Sequence, residues 1–221
     1  LTGGAFDVTV QPLWQLYADH FSRADAAAEG PGRDAVERVL DLVGYDGLLI
    51  EADRVVFAKK GMAITLNGIA QGFITDRIAE ILRSGGCDSV LADLGEIRAL
   101  GTHPNGRAWQ VGLTDPRETG RIARKLDIKD QAVATSAATG FQFDPNGRFY
   151  HLIDPATGTS AGRYAGVSVV AHDATTADAL STALTLMPMT EADRVLSAAG
   201  GSMALFTGPD GTTQTRKGDL S

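Results

Sequence analysis

Two polar side chains that could bind a metal ion together, Asp178 and Thr182, lie four residues apart in the stretch ATTADALSTALTLM at 174–187. In a helix, residues at this spacing project from the same face. The neighbouring alanines are small and would leave room for a ligand. A carboxylate and a hydroxyl supply the hard oxygen donors that Mg²⁺ prefers. The pair therefore predicts part of a divalent-cation site, and the alternative is a solvated helix face that binds nothing.

A second candidate is the glycine-marked corner ITLNGIAQGFITDR at 64–77. A β-type run at 64–66 meets Asn67, Gly68 and Gly72 and then a helical pattern. Strand, glycine turn and helix often cradle a phosphate, because the helix N-terminus offers unpaired N–H groups and a partial positive charge. The corner matches neither a Walker loop nor a GxGxxG fingerprint. On these residues alone, a corner that needs glycine only for its geometry is the stronger interpretation.

The elements that would position these residues follow from the hydrophobic periodicity and the turn signals. A hairpin at 141–143 and 149–153 leads into the turn DPATG at 154–158, which presents His151 and Asp154 at its entrance. The helix after Gly72 is predicted to turn four apolar residues inward: Ile74, Ile78, Ile81 and Leu82. The other predicted helices are 8–21, 33–43, 174–187 and 191–199. The other predicted strands are 48–51, 55–58, 62–66, 89–94, 97–100, 109–113, 125–128, 132–136 and 167–171, with a last hairpin around 208–211.

Composition limits the fold and function classes. The 221 residues are 43% hydrophobic, which predicts one domain over 1–221 with one substantial core. Strands and helices are mixed without βαβ regularity, so the predicted class is α+β, with a mixed, largely antiparallel sheet packed with helices. A net charge of −7 with scattered basic residues argues against binding to nucleic acid or anionic lipid. The single cysteine, Cys87, excludes an internal disulfide.

Five separated segments together resemble one known family. GAFDVTVQPLW, ITLNGIAQGFITDR, VATSAATG, FYHLIDPATG and ATTADALSTALTLM occur in the order, and at about the spacing, of the motifs of the ApbE family, and they span nearly the whole chain. ApbE proteins are Mg²⁺-dependent FAD:protein FMN transferases with an α+β fold. The resemblance implies cleavage of FAD, transfer of FMN to a Thr or Ser hydroxyl of an acceptor protein, and release of AMP.

The resemblance also assigns roles to individual residues. It implies that the Gly68 carbonyl joins the side chains of Asp178 and Thr182 around Mg²⁺, and that His151 and Asp154 stand beside the reacting phosphates. His151 is the candidate base, because imidazole titrates near neutrality; the alternative is a histidine packed in a hairpin. The residues that the resemblance places along the FAD pocket are Ala5, Phe6, Asp7, Thr65, Gln71, Thr135, Ser136 and Ile153.

The chain departs from the family pattern at several of these positions. The family often has Asp at the position of Thr65, and the loss of this Asp removes a polar contact to the flavin. The family also often has Lys or another polar residue at the position of Gln71. It also often has a second Gly where Glu96 follows Gly95, and Gly at Ala137. The segment NGIAQGFITD resembles the corresponding segment in the branch of the family that flavinylates the membrane regulator of nitrous oxide respiration. The implied partner is an acceptor flavoprotein that carries an Asp-x-x-Ser/Thr-Gly-Ala-Ser/Thr motif, such as a membrane-bound respiratory regulator or a redox subunit.

Other expectations concern the start of the chain, its location and its activity. LTGGAFDVTVQPLW begins within motif-bearing sequence, which predicts a missing N-terminal portion that in relatives helps to hold the adenine end of FAD. A periplasmic or otherwise exported location follows from the resemblance alone. Two alternative functions stay open: a FAD pyrophosphatase that gives FMN and AMP, and a flavin-binding assembly factor without catalysis.

Overall fold

The computed structural model describes residues 1–118 and 120–219, and both helices and antiparallel strands occur throughout that part of the chain. The helices are α1 (Gln11–Phe21), α2 (Arg33–Leu40), α3 (Ala70–Ser84), α4 (Ala174–Leu186) and α5 (Ala192–Ala198). The strands are β1 (Leu48–Ile50), β2 (Val55–Phe57), β3 (Val90–Asp93), β4 (Ile97–Leu100), β5 (Trp109–Thr114), β6 (Ile122–Ile128), β7 (Ala132–Ala137), β8 (Gly166–Ala171), β9 (Met203–Thr207) and β10 (Thr213–Lys217). None of the described helices is long and apolar enough to cross a membrane.

The chain folds into two compact units. The sheet unit comprises Leu1, Asn67–Ala137 and the chain from Arg163 onward. The aromatic unit comprises Thr2–Leu66 and Ala138–Gly162 and is named for its ring cluster. The single domain expected over 1–221 stays a prediction.

The sheet unit is built on a six-stranded sheet with the order β10-β9-β8-β7-β4-β3. Every neighbouring pair in this sheet is antiparallel, and β5 and β6 form a separate antiparallel hairpin. Apolar side chains of the hairpin and the sheet share one core, which includes Val111, Ile128, Val133, Val170 and Leu205. The predicted α+β class with a largely antiparallel sheet is confirmed.

Helix α4 packs against β7, β8 and α3. All six residues of β8 are buried, as expected for a central strand that is covered on both faces. Ala177, Leu180 and Leu184 of α4 are among the buried side chains of the unit. Because α4 is buried on most sides, its position is set by its neighbours rather than by intrinsic helix propensity.

In the aromatic unit, α1 contributes Trp14, Tyr17 and Phe21 to a cluster of rings. Trp14 and Tyr17 each lie within 6 Å of Phe143, centroid to centroid, at 5.5 and 5.8 Å. The Tyr17 hydroxyl donates to the Gly158 carbonyl at 2.8 Å. Aromatic packing and this buried hydrogen bond therefore hold α1 against the segment that contains His151.

Three predicted elements differ from the structure. Residues 62–66 form no strand. The Thr65 N–H donates to the Val8 carbonyl at 2.8 Å. Val8 lies in the 3-10 turn Val8–Val10, and a 3-10 turn cannot form the series of hydrogen bonds that pairs two strands. That turn also delays the start of the first helix to Gln11. The hairpin at 141–143 and 149–153 pairs only through a bridge between Gln142 and Tyr150 and two flanking backbone hydrogen bonds, without extended strands.

The prediction of the buried face of α3 was wrong for three of its four residues. The buried residues of α3 are the small Gly72, Thr75 and Ala79, whereas Ile74, Ile78 and Ile81 are exposed and Leu82 is half-buried. Small residues at this spacing let two helix backbones approach closely, and α3 packs on α4. A Cβ added to Gly72 would lie 2.3 Å from the Ala174 carbonyl oxygen. Close helix contact, rather than apolar volume, therefore determines which face of α3 is buried.

Candidate active site

Asp178 lies in the first half of α4 with only 5% of its surface exposed. Its Oδ2 accepts a hydrogen bond from the backbone N–H of Gly72 at 2.9 Å. Burial raises the pKa of this carboxyl group, and the Gly72 N–H partly opposes that rise. The solvated helix face considered as an alternative for Asp178 is therefore wrong. The Gly72 N–H is also not available to a phosphate, because it is bound to Asp178.

Thr182 lies one turn further along α4, next to a group of hydroxyls. The Ser136 Oγ on β7 is 3.2 Å from the Thr182 Oγ1 and 2.8 Å from the Ser181 Oγ. The Ser181 hydroxyl in turn donates to the Asp178 carbonyl at 2.9 Å. The sheet unit therefore brings together Asp178, Thr182 and Ser136, three of the residues singled out from the sequence.

The other predicted residues of the sheet unit lie at the start of α3 and on β7. Gly68 is in the turn that precedes α3, four residues before Gly72. The Gln71 amide donates to the Leu94 carbonyl at 3.2 Å and covers Gly95, where an added Cβ would lie 2.0 Å from Nε2. Thr135 is exposed, and its hydroxyl is 2.8 Å from the Ser168 hydroxyl. Gln71 thus holds the turn between β3 and β4 in this structure.

Glu96 is a functional candidate that the sequence interpretation missed. It directly precedes β4 and is 9% exposed. Burial, together with the charges of Asp178 and Asp93, raises the pKa of Glu96 to about 8, although a hydrogen bond from the Thr135 backbone partly opposes the shift. The pairing of β4 with β7 places Glu96 near α4, and no local sequence pattern marked that proximity.

The donor set around Asp178 suits a hard cation. No group of three or more His, Cys, Asp or Glu side chains that could hold a metal occurs within residues 1–118 and 120–219. A site here would instead use one carboxylate, the Thr182 hydroxyl and a backbone carbonyl, all of them oxygen donors. Asp178 and Glu96 are both buried acids, and the negative charge of Asp178 raises the pKa of Glu96. A bound cation would relieve that repulsion, so the residues fit Mg²⁺.

In the aromatic unit, the Asp7 side chain acts on the backbone around it. Its Oδ1 accepts from the Thr9 N–H at 2.8 Å, and its Oδ2 accepts from the Tyr45 N–H at 2.9 Å. The Thr9 hydroxyl continues this network by accepting from the Gly44 N–H at 2.7 Å. Ala5 and Phe6 lie in the preceding turn, with both N–H groups bonded to Thr2. Asp7 therefore shapes the loop at 2–10 through hydrogen bonds that are buried or partly buried.

A hydrogen bond to the Phe141 carbonyl holds the His151 ring in one tautomer. Its Nδ1 lies 3.1 Å from the Phe141 carbonyl oxygen, which can only accept a hydrogen bond. Nδ1 therefore carries the proton, and Nε2 is the basic atom of the neutral ring. Burial lowers the pKa of His151, although the bond to Phe141 partly opposes this shift. The imidazole is consequently neutral and basic near pH 7.

Ile153 and Asp154 lie on the same segment as His151. Ile153 is buried in the core of the aromatic unit. The Asp154 Oδ1 accepts from the Ala156 N–H at 2.9 Å, and its carbonyl accepts from the Gly158 N–H at 2.8 Å. Asp154 thus closes the DPATG turn as predicted, and its carboxylate already supports that turn.

Known proteins share both the sequence pattern and the fold of this chain. A model of the ApbE family matches residues 1–206. The chain belongs to the ApbE family. The FAD:protein FMN transferase of Treponema pallidum is 34% identical over 228 residues, which cover 95% of this chain and 62% of that protein. The FAD:protein FMN transferase of Haemophilus influenzae is 31% identical and is matched over 83% of this chain and 55% of its own length.

Solved ApbE structures share the fold. The ApbE protein of Thermotoga maritima superposes with a TM-score of 0.84 at 31% identity, covering 97% of this chain and 71% of that structure. The flavin transferase ApbE of Vibrio cholerae gives a TM-score of 0.78 at 26% identity, covering 99% and 70%. The chain therefore has the ApbE fold, and it spans less than two thirds of the length of these two curated relatives.

Proposed function

We propose that this ApbE-family protein transfers FMN from FAD to a Thr or Ser hydroxyl of an acceptor protein and releases AMP, with Mg²⁺ as cofactor. The curated relatives named above are FAD:protein FMN transferases. The single observation that carries the proposal is the buried Asp178 carboxylate, which lies one helical turn from Thr182 and is held by the Gly72 N–H at 2.9 Å.

The chain's own groups suit the proton transfer that this reaction requires. The acceptor oxygen forms a bond to the FMN phosphorus while the bond from that phosphorus to the AMP oxygen breaks, and the acceptor hydroxyl must lose its proton. His151 takes this proton at Nε2, because Nδ1 is bound to the Phe141 carbonyl. Asp154 holds the turn that follows His151, and we assign it a place beside the reacting phosphates.

Asp178, Thr182 and the Gly68 carbonyl are the groups that would hold Mg²⁺. When bound there, Mg²⁺ offsets negative charge on the pyrophosphate of FAD. Ser136 orients the Thr182 hydroxyl through the 3.2 Å contact between their side-chain oxygens. We assign contacts with FAD to the loop at 5–7 and to Thr65, Gln71, Thr135, Ser136 and Ile153.

The acceptor and the location belong to the same proposal. The acceptor would be a flavoprotein with an Asp-x-x-Ser/Thr-Gly-Ala-Ser/Thr motif, such as a membrane-bound respiratory regulator or a redox subunit. The protein itself would act in the periplasm or another exported location. Both assignments rest on the resemblance of the motifs, and cell fractionation together with mass analysis of flavinylated proteins would test them.

The test of the activity is incubation of the protein with FAD, Mg²⁺ and an acceptor domain, followed by intact-mass analysis of the acceptor. The expected result is a mass gain equal to FMN minus water, which disappears without Mg²⁺ and in Asp178→Ala, and is strongly reduced in His151→Ala. Asp53→Ala is the matched control, because this acid lies in the exposed turn between β1 and β2.

Two other results would overturn transferase activity. Free FMN and AMP with an unmodified acceptor would indicate a FAD pyrophosphatase. Bound but unchanged FAD would indicate a flavin-binding assembly factor.

A further inference from the structure

Asp76 of α3 binds the beginning of α4. Its Oδ1 accepts from the Ala174 N–H at 2.9 Å, and its Oδ2 accepts from the Thr175 N–H at 2.8 Å and from the Thr175 hydroxyl at 2.6 Å. The first N–H groups of a helix have no partner within the helix. The carboxylate of a neighbouring helix thus supplies partners for two of these donors, and its charge is favourable at the positive end of α4.

The remaining donors of the first turn of α4 are also satisfied. The Asp173 side chain accepts from the Thr176 N–H at 2.7 Å, and its carbonyl accepts from the Ala177 N–H at 3.1 Å. This helix end is therefore closed by two carboxylates, and its N–H groups are not available to a phosphate. These hydrogen bonds hold the start of α4 in place.

Asp76 is itself held in place by Arg98 of β4. The Arg98 Nε lies 3.5 Å from the Asp76 Oδ1, and only 8% of the Arg98 side chain and 14% of the Asp76 side chain are exposed. Another guanidinium nitrogen of Arg98 donates to the His172 carbonyl, directly before the cap residue of α4. The buried ion pair between Arg98 and Asp76 joins β4 to α3, and both side chains also form hydrogen bonds at the start of α4.

Asp76 and Gly72 lie one turn apart on α3, and both contact α4. Asp76 holds the helix start, and the Gly72 N–H holds the Asp178 carboxylate at 2.9 Å. Because residues four apart share a helix face, one face of α3 makes both contacts with α4. The second of these contacts involves Asp178, the side chain that we assign to Mg²⁺.

We propose that Asp76 is a positioning residue that anchors α4 and thereby places Asp178 for cation binding. Asp76 is not itself a ligand and does not contact the reacting atoms. The cation-binding part of this inference rests on the proposed function, whereas the anchoring of α4 does not. Groups that orient metal ligands commonly change metal affinity by about 10–100-fold when they are altered.

The test compares Asp76→Asn with the wild-type protein by two measurements that do not require turnover. An Asn side chain can accept from one N–H, but its NH₂ group would face the second donor. We expect hydrogen exchange in the first turn of α4 to become at least about tenfold faster. We also expect Mg²⁺ binding, measured by calorimetry, to weaken by about tenfold or more.

Two further variants separate positioning from general loss of structure. Thr175→Val removes only the hydroxyl contact to Asp76 and should shift both quantities in the same direction by a smaller factor. Glu80→Gln makes the same charge change on α3, where Glu80 pairs with Arg77 on the surface, and should leave both quantities unchanged. A purely structural effect of Asp76→Asn would lower stability while Mg²⁺ affinity stayed at the wild-type value.

Unchanged exchange at Ala174 and Thr175 in Asp76→Asn would overturn the anchoring role, and unchanged Mg²⁺ affinity would overturn the positioning role. If the wild-type protein itself bound no Mg²⁺, both the proposed function and the positioning of a metal ligand would be wrong. The exchange measurement would still decide the anchoring of α4.

Discussion

At the scale of single residues, two buried acids dominate the candidate site. Asp178 and Glu96 are 5% and 9% exposed, and burial raises the pKa of both groups. Keeping two acids in an interior lowers stability unless they are protonated, hydrogen bonded or bound to a cation. Such an arrangement is more typical of a functional site than of a core that serves only stability.

The pKa of Glu96 gives a prediction about stability and pH in the metal-free protein. The folded pKa of about 8 is above the ordinary value of 4.5, so the folded state keeps a proton that the unfolded chain releases. The stabilising contribution is complete below about pH 4.5 and is lost as the pH rises through about 8. The free energy of unfolding should therefore fall over this range, by at most about 1.4 kcal/mol per pH unit.

Denaturant unfolding at several pH values in the presence of EDTA measures this effect. Glu96→Gln keeps the shape of the side chain but removes the titration, so its stability should depend less steeply on pH between about 5 and 8. Glu80→Gln, at an exposed site, should retain the wild-type slope. Identical slopes for wild type and Glu96→Gln would show that Glu96 is not a buried acid with a raised pKa.

His151 gives a prediction about catalysis and pH. Burial lowers its pKa below the ordinary value of 6.5, so the neutral, basic form is present at and above neutral pH. The rate constant kcat/KM for FMN transfer should rise with pH through a midpoint below 6.5 and then level off. His151→Ala should lower the rate by about 10²-fold or more and remove this acidic limb.

The pH profile of FMN transfer for His151→Ala and for a control, His103→Gln, checks this assignment. His103 contacts the Trp109 ring beside the turn before β5, and its replacement should leave the limb in place. An acidic limb that persisted unchanged in His151→Ala would exclude His151 as the base.

At the scale of elements, contact between α3 and α4 positions the site. Gly72→Ala places a Cβ 2.3 Å from the Ala174 carbonyl and 2.8 Å from the Asp178 Cβ. We expect it to lower the free energy of unfolding by about 1–3 kcal/mol, although alanine alone favours a helix over glycine by about 1 kcal/mol. Chemical denaturation measures the change.

Gly85→Ala is the matched control for this substitution. Gly85 ends α3 at a φ of −81°, and an added Cβ would meet its nearest atom at 3.4 Å, an ordinary contact. Its effect should stay within about 0.5 kcal/mol. Equal effects at the two glycines would mean that α3 and α4 do not approach as closely as described.

The orientation of α3 gives a separate prediction. Ile81 is 61% exposed and Ala79 is 2% exposed, so Ile81→Gln should change the free energy of unfolding by less than about 0.5 kcal/mol. Ala79→Leu adds volume to a packed contact and should be destabilising by about 1–3 kcal/mol. Chemical denaturation tests both substitutions. A larger loss of stability in Ile81→Gln than in Ala79→Leu would support the buried face that apolar periodicity predicts.

The sequence predicted most elements of this fold but not the contacts that decide α3. Strong local signals worked for α4, for the β9–β10 hairpin and for the paired β5 and β6. Periodicity misplaced the buried face of α3, because small residues rather than large apolar ones meet α4. The predicted strand at 62–66 was wrong because no strand among the described residues pairs with it, and a local pattern cannot show this. The roles of Asp76, Arg98 and Glu96 depend on long-range pairing and carried no local signal.

At the scale of the whole molecule, the predicted functional residues are divided between the two units. Gly68, Asp178 and Thr182 belong to the sheet unit, whereas His151 and Asp154 belong to the aromatic unit. Each unit preorganises its own residues through hydrogen bonds: Gly72 and Ser136 around α4, and Phe141 at His151. This separation allows cation binding to be tested independently of proton transfer.

The most direct test of the proposed site is the anomalous scattering of Mn²⁺, used in place of Mg²⁺, in crystals of the protein grown with FAD. We predict one strong peak bounded by the Asp178 carboxylate, the Thr182 hydroxyl and the Gly68 carbonyl. The peak should be lost in Asp178→Ala crystals. A peak elsewhere, or a peak that Asp178→Ala leaves unchanged, would contradict the assignment of this face of α4 to the metal.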